Sequence, residues 1–202
     1  NTTWTGNTGA NNNAIAIANT SIFSNTGTFT DANTFDSSMS GGTFNNDGTF
    51  NKQSNTTTSM GSVFNNTATV NVNAGTMLMQ AGGVDSGQFS IADGAKLEFR
   101  NGVHTLNNVT TSGAGTFQIS TDNVGADATV TVNGGTHTSA FLLSGSTMTG
   151  TSNTFQGAAT WTGGTITGAA SASTTFGSTL AITGANTKTL SGGRSVNAGN
   201  TT

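Results

Sequence analysis

The chain contains no cysteine, no proline and no tyrosine, and only 6% of its residues are charged. An ordinary soluble domain carries about 25% charged residues. Without cysteine there is no disulfide framework, and redox logic leaves the compartment undecided. A stack of repeats can do without such staples, because neighbouring turns supply the stability. The net charge is −3 and the basic residues are scattered (Lys52, Lys96, Arg100, Lys188, Arg194), which excludes the basic surface of a nucleic-acid binder. No apolar run approaches the roughly 18 residues that a membrane span needs. Leu, Glu, Lys, Arg and Gln are scarce, so helix is hard to write into the sequence. The chain opens Asn-Thr-Thr, with no Met and no apolar leader, and reads as an internal piece of something longer.

What is present is a repeat. Phe23-Ser24-Asn25-Thr26-Gly27-Thr28-Phe29 returns as Phe44-Asn45-Asn46-Asp47-Gly48-Thr49-Phe50, and again as Phe64-Asn65-Asn66-Thr67-Ala68-Thr69-Val70. A fixed period of about 20 residues means stacked units, each too small to bury a core alone. Twelve Phe placed periodically argue against a solvated, disordered tail. Short alternating runs such as Thr69–Asn73, Phe89–Ile91, Phe117–Ile119 and Thr129–Val132 read as strands. Gly and Asn at Ala74-Gly75, Asn101-Gly102 and Asn133-Gly134-Gly135 mark corners.

The repeat of a long unit in constant internal order favours a coil with parallel stacked turns over a sandwich of hairpins. The expectation is an all-β, single-stranded parallel β-helix (β-solenoid) of roughly 20 residues per turn and about ten turns, a rod of about 50 Å. Its core stack comprises Phe23, Phe29, Phe44, Phe50, Phe64, Val70, Phe155, Trp161 and Phe176, with Thr and Asn as outward ladders. Between Ala92 and Asn108 the pattern is less regular, and Leu97, Phe99, Val103 and Leu106 form its apolar set. Residues 1–202 read as one solenoid whose turn length drifts.

The ends match each other. Overlaying the terminal Asn-Thr-Thr on the initial one gives Gly-Asn-Thr-Thr-Trp-Thr-Gly, similar to Gly157–Gly163, with a super-repeat of 199, the chain's 202 less the shared three. Neither end carries a device that caps an open sheet edge. The expected partners are therefore copies of the same module, head to tail, covalently in tandem or by stacking. Trp4, Leu190 and Val196 would form the end-to-end junction.

The strings Thr43–Phe50, Val63–Met77, Asn101–Leu106 and Thr187–Gly199 resemble very large repetitive bacterial surface proteins of the filamentous-haemagglutinin or autotransporter-adhesin type. The resemblance covers essentially the whole chain. It implies a right-handed parallel β-helix, export to the cell surface, and a structural or adhesive role in a filament or biofilm.

No catalytic constellation stands out. Asp31, Asp36, Asp47, Asp85, Asp93, Glu98, Asp122 and Asp127 read as solvated surface and corner residues, and not as the paired carboxylates of a glycosidase. His104 and His137 lie 33 apart in sequence with no third ligand, and are expected on the surface. Gly82-Gly83-Val84-Asp85 departs from the calcium-binding Gly-Gly-x-Gly-x-Asp pattern. No catalytic residue, metal site or cofactor is expected.

The expected function is a non-enzymatic extracellular structural module, continued end to end into a fibre or stalk. Adhesion to host or matrix polysaccharide is an alternative, although Trp4 and Trp161 occupy core positions and offer no sugar platform. Thr-x-Thr rows at 129/131, 147/149 and 165/167 raise ice binding as another. A polysaccharide-degrading β-helix enzyme is the last.

Overall fold

The computed structural model describes residues 1–6, 13–122 and 127–201. They form an all-β parallel solenoid of about nine turns, about 21 residues per turn, with no helix among the described residues. The sequence expectation of a parallel β-solenoid with roughly 20 residues per turn and about ten turns is thus met, with a turn length that varies along the rod. The stacked pair Asn46 and Asn66 lies 20 residues apart, Thr111 and His137 lie 26 apart, and Ala128 and Ser146 lie 18 apart. At about 4.8 Å per turn the rod is about 43 Å long.

Each turn contributes a strand to each of three ladders, called faces one, two and three in the order the chain visits them. Face one includes Thr28–Asp31, Thr49–Lys52, Thr69–Val72 and Gln88–Ile91. Face two includes Thr76–Met79, Lys96–Phe99 and Thr116–Ile119. Face three includes Ile22–Asn25, Gly83–Asp85, Val103–Asn107 and Thr129–Asn133. Longer strands such as Ser37–Asn46 and Thr57–Asn66 run through a corner and serve faces two and three. Strands form because polar and apolar residues alternate, so that Phe50 and Val70 turn inward while Thr49, Asn51, Thr69 and Asn71 turn outward.

Parallel register converts this alternation into columns. On face one Phe29, Phe50, Val70 and Phe89 stand in line, followed by Thr111, His137, Phe155 and Phe176. On face two the column runs Ile15, Met39, Met60, Met79, Phe99, Ile119, Leu143 and Trp161. On face three Phe23, Phe44 and Phe64 lead to Gly83, His104, Val130, Met148 and Ile166.

The six-residue spacing of Phe23 and Phe29 thus carries the chain round the corner from face three to face one. Phe23, Phe44 and Phe64 stack nearly parallel, with centroids 5.0 and 5.5 Å apart. Phe29 and Phe50 form a second stack at 5.3 Å, and the two stacks meet edge to face, as between Phe44 and Phe50 at 5.8 Å. Offset stacks and T-shaped contacts are the two arrangements that the ring quadrupole favours. Phe29, Phe44, Phe50, Phe64, Val70, Phe155, Trp161 and Phe176 are buried, whereas Phe23, in the first turn, is half-buried. At Gly83 the face-three stack is interrupted. A Cβ there would lie 1.8 Å from the Phe64 carbonyl oxygen, and its φ of +148° suits glycine alone.

The corner has its own column. Asn25 donates to Asn46 Oδ1 at 2.7 Å, and Asn46 to Asn66 Oδ1 at 2.8 Å, all three buried. Asn25 and Asn46 each also donate to a backbone carbonyl of the next turn, Thr49 and Thr69, at 3.0 Å. An amide fits here because it donates upward and accepts from below in every turn.

Replacing Phe50 by Ala should cost about 3–5 kcal/mol of stability, the range for truncating a buried aromatic. Phe44→Asp should abolish the cooperative unfolding transition by burying an unpaired charge between two rings. Thermal and denaturant unfolding followed by circular dichroism check both, and an unchanged midpoint would refute the inward placement.

Candidate functional site

Three of the acidic residues expected at the surface are buried: Asp31, Asp85 and Glu98. Asp31 Oδ1 accepts from the Asn33 backbone at 3.1 Å and from Asn33 Nδ2 at 2.6 Å. Its Oδ2 accepts from Ser37 Oγ at 3.2 Å and from Thr58 Oγ1. Lys52 stands beside Asp31 in register and is itself buried, donating to the Ser54 carbonyl and to Thr56 Oγ1 at 3.0 Å. Burial lowers the Lys52 pKa, against the attraction of Asp31 and Asp36. Glu98 Oε1 accepts from Arg100 Nε at 3.1 Å, from Arg100 Nη2 at 2.8 Å, and from Ser120 Oγ at 2.6 Å. Lys96 Nζ lies 3.9 Å from Glu98 Oε2. Asp31 and Glu98 thus each tie donors of their own turn to one hydroxyl of the next, Thr58 and Ser120.

The two histidines are also buried, which corrects their expected surface placement. Both are members of inner columns. His104 Nε2 donates to the Asn101 carbonyl at 2.8 Å, with its ring edge-on to Phe99 at 4.7 Å. His137 stacks on Phe155 at 4.8 Å and meets Thr111 Oγ1 through Nδ1 at 3.2 Å. Loss of solvent pushes both imidazoles down to about 4. Asp85 stands next above Asn66 in the corner column, accepts the Asn66 backbone N–H at 3.0 Å, and leaves Oδ2 without a partner. Burial pushes its carboxyl up to about 8.

An open cleft of about 530 Å³ lies beside the Asp127 segment, lined by Thr121, Asp127, Ser144, Gly145, Ser146, Gly164, Ala185, Asn186 and Thr187. Ser146 holds a left-handed φ of +61° there. Its Oγ accepts from the Ala128 N–H at 3.0 Å and donates to the Ser120 carbonyl, which fixes that conformation. Gln118 Nε2 donates to Ser144 Oγ at 3.1 Å from behind. The lining offers hydroxyls, amides and one carboxylate, which suits hydrogen bonding to a polar ligand. Among the described residues no group of three His, Cys, Asp or Glu could hold a metal ion.

The outer surfaces differ by face. On face one the first outer row is Thr28, Thr49, Thr69, Gln88, Thr110 and Thr136. On face three one outer row begins Ile22, Thr43, Val63 and, past Gly82, continues Val103, Thr129, Thr147, Thr165, Thr189. The parallel row holds Ser24, Asn45 and Asn65, then Val84, Thr105, Thr131 and Thr149. The Thr-x-Thr rows noted in the sequence thus lie directly against one another, each step spanning 18 residues. Asn65 donates to Asn45 Oδ1 at 2.9 Å, and on face one Asn71 donates to Asn51 Oδ1 at 2.9 Å, so the outward amide ladders are formed.

The junction residues sit at opposite ends of the rod. Trp4 pairs with Asp31 on face one, its ring 6.3 Å from Phe29. Leu190 stands above Ile166 on face three and is 49% exposed, and Val196 stands above Thr174 on face one. Beneath them Arg194 is buried, donating to Thr174 Oγ1 at 2.8 Å and to the carbonyls of Gly150 and Thr151 at 2.6 and 2.7 Å. Nothing in the sequence marked Arg194 as an inward residue.

The overlay of the two ends needs adjustment. Thr201 pairs with Leu180 on face two, whereas Thr2 pairs with Phe29 on face one. Overlaying the two Asn-Thr-Thr segments would therefore place a face-one strand on face two. Trp161 likewise belongs to face two and Trp4 to face one. A continuation that keeps all three columns aligned needs one more face-three strand between Thr201 and the next Thr2.

Stability should peak near pH 6.5 on the titration of His104, His137 and Asp85. Between about pH 4 and 6.5 the unfolded chain binds protons at both imidazoles that the folded chain does not, so acid destabilises the fold. Asp85 acts oppositely: it keeps its proton when folded, so rising pH favours the unfolded chain up to about 8. Below 6.5 two imidazoles outweigh one carboxyl, and above it Asp85 acts alone. Asp85→Asn, which continues the amide column without a charge, should remove the alkaline decline and raise the melting temperature at pH 7.5. Melting curves from pH 4 to 9 test this, and an undiminished decline in the variant would contradict the role of Asp85.

Compared with known proteins, the chain matches no family model, no curated protein and no solved structure.

Proposed function

We propose that the chain is a non-enzymatic structural module of a cell-surface fibre or stalk, working as a stiff rod that continues end to end. The observation that carries this is the state of the inner columns at the two ends. Ile182 stands above buried Trp161 and Leu190 above buried Ile166, yet each is about half exposed, at 50% and 49%. At the other end Trp4, Ile15 and Phe23 are only partly buried although they pack on the core. Among the described residues each end presents apolar side chains beside strands that pair on one edge only, a template for further parallel strands. The burial of Asp31, Asp85 and Glu98 in structural hydrogen bonds fits a mechanical role for the charged residues. The resemblance of the sequence to filamentous-haemagglutinin and autotransporter-adhesin repeats supports placement outside the cell.

A second reading, contact with polysaccharide, is favoured by the cleft beside Asp127, whose Asn186, Ser144 and Thr187 could hydrogen-bond sugar hydroxyls. A glycan screen with Asn186→Ala as control separates it from the first.

The fibre reading predicts end-to-end growth of concentrated protein, or of tandem copies joined through one additional strand, visible by electron microscopy as rods longer than one module. Leu190→Lys should shorten them by placing a charge where the next turn must cover it. Its effect on the isolated module should be small, because the side chain is already half solvated there. Rods of one module's length under every condition would refute continuation.

A further inference from the structure

Apart from Ile182 and Leu190 in the last turn, the exposed aliphatic side chains are not scattered. Ile22 is 63% exposed, Val84 53%, Val103 68% and Val63 37%, and all four stand on the outer side of face three. From Val103 onward the same rows continue in threonine, whose methyl and hydroxyl keep the surface half apolar. Among the described residues the outer rows of this face hold no Asp, Glu, Lys or Arg, and Lys188 stands at the edge of its last strand, where Nζ donates to the Gly184 carbonyl. Face two, by contrast, carries Lys96 and Glu98 in its strand, and face one carries Thr, Asn, Ser and Gln with no aliphatic residue in its outer rows. A strip rich in β-branched residues, broken by Gly82 and by Ser24, Asn45 and Asn65 in the first turns, is the signature of a contact surface.

We infer that face three is a lateral contact between two copies of this chain, packed side by side along their rods. Three features select a second copy as occupant. The strip's outer rows bear no charge, and Lys188 lies only at the edge of its last strand, so little repels when the strip meets itself. Its methyl groups recur at the strand spacing of about 4.8 Å, and the partner whose surface recurs at that same spacing is another solenoid of this kind. The strip also runs from the first turn to the last, with breaks at Gly82 and at Asn45 and Asn65, so two rods can meet along their length.

The area sets the strength. A strip about 43 Å long and roughly 13 Å wide offers on the order of 500 Å² per copy. Two such strips cover about 1,000 Å², below the 1,200–2,000 Å² of a standard stable interface. One pair of modules therefore associates weakly, and rods of several modules associate strongly because the contacts act together. The pairing does not require that rods grow end to end.

Sedimentation of the full chain over a concentration series tests the inference, run also with Leu190→Lys to suppress end-to-end growth. The expected result is a weight-average mass that rises towards a dimer at high concentration in both proteins. Val103→Lys combined with Thr147→Lys should weaken this association at least about tenfold, since like charges would then face each other. Thr110→Lys, on face one, should leave it unchanged. All three side chains point outward, so circular dichroism should show the fold retained. Under the microscope the double variant should yield narrow rods of unaltered length, which separates loss of lateral contact from loss of continuation. A monomer at every concentration, equal weakening by Thr110→Lys, or freezing-point hysteresis by a protein that does not self-associate would each overturn the inference; the last would assign the face to ordered water.

Discussion

Parallel register is the constraint from which everything else in this molecule follows. Once a strand pairs with the one a turn below, every side chain is held about 4.8 Å from its counterpart. Each position must then tolerate a near-copy of itself on both sides. Phenylalanine meets this by stacking, as Phe23, Phe44 and Phe64 do, and threonine by lining methyl against methyl outside. Asparagine meets it by donating one way and accepting the other, as in the corner column. Ionised side chains meet it badly, because a repeated charge repels itself. That accounts for the low charge content better than any property of the surface.

The few charges that are buried never stand against a like charge in their columns and are satisfied in unlike company. Asp31 is held by hydroxyls and an amide with Lys52 alongside, and Arg194 by carbonyls of two earlier turns. Removing one partner from such a site leaves an uncompensated buried group, which is more damaging than never having had the pair. These residues lock particular turns together and give an otherwise monotonous coil unique neighbours at set heights along the rod. Asp85 differs in having an unpaired oxygen, and burial keeps it protonated up to about pH 8 where its amide neighbours below are neutral by chemistry.

Much of the coil was legible in the sequence, because period and alternation are direct images of turn and strand. The spacing of Phe23 and Phe29, the three repeats and the Gly/Asn corners locate the first turns correctly. Inward polar residues were harder, since Asn45 and Asn46 read alike in composition. Strand parity distinguishes them: Asn46 is two residues from Phe44 and shares its side, whereas Asn45 does not. The same rule would have found His104. Val103 and Leu106 lie an odd number apart and cannot both face the core, and the structure buries Leu106 with His104 while exposing Val103. Turn length was not legible in the middle, because residues added at a corner leave no mark on the alternation of the strands. The cleft beside Asp127 depends on such corner geometry and had no sequence signal.

The tolerance of the corners has a consequence for how such a chain can arise. Turns closing 18, 20 or 26 residues apart still deliver their strands to the same three columns. Unequal recombination between gene segments encoding equivalent column positions would therefore yield a chain one turn longer or shorter that still folds. Length would be inherited as a count of turns and could change in a single genetic step. Crossovers between non-equivalent positions would shift a third of a turn and be lost. The columns thus act as a reading frame for the evolution of the rod, imposed by packing and not by the code.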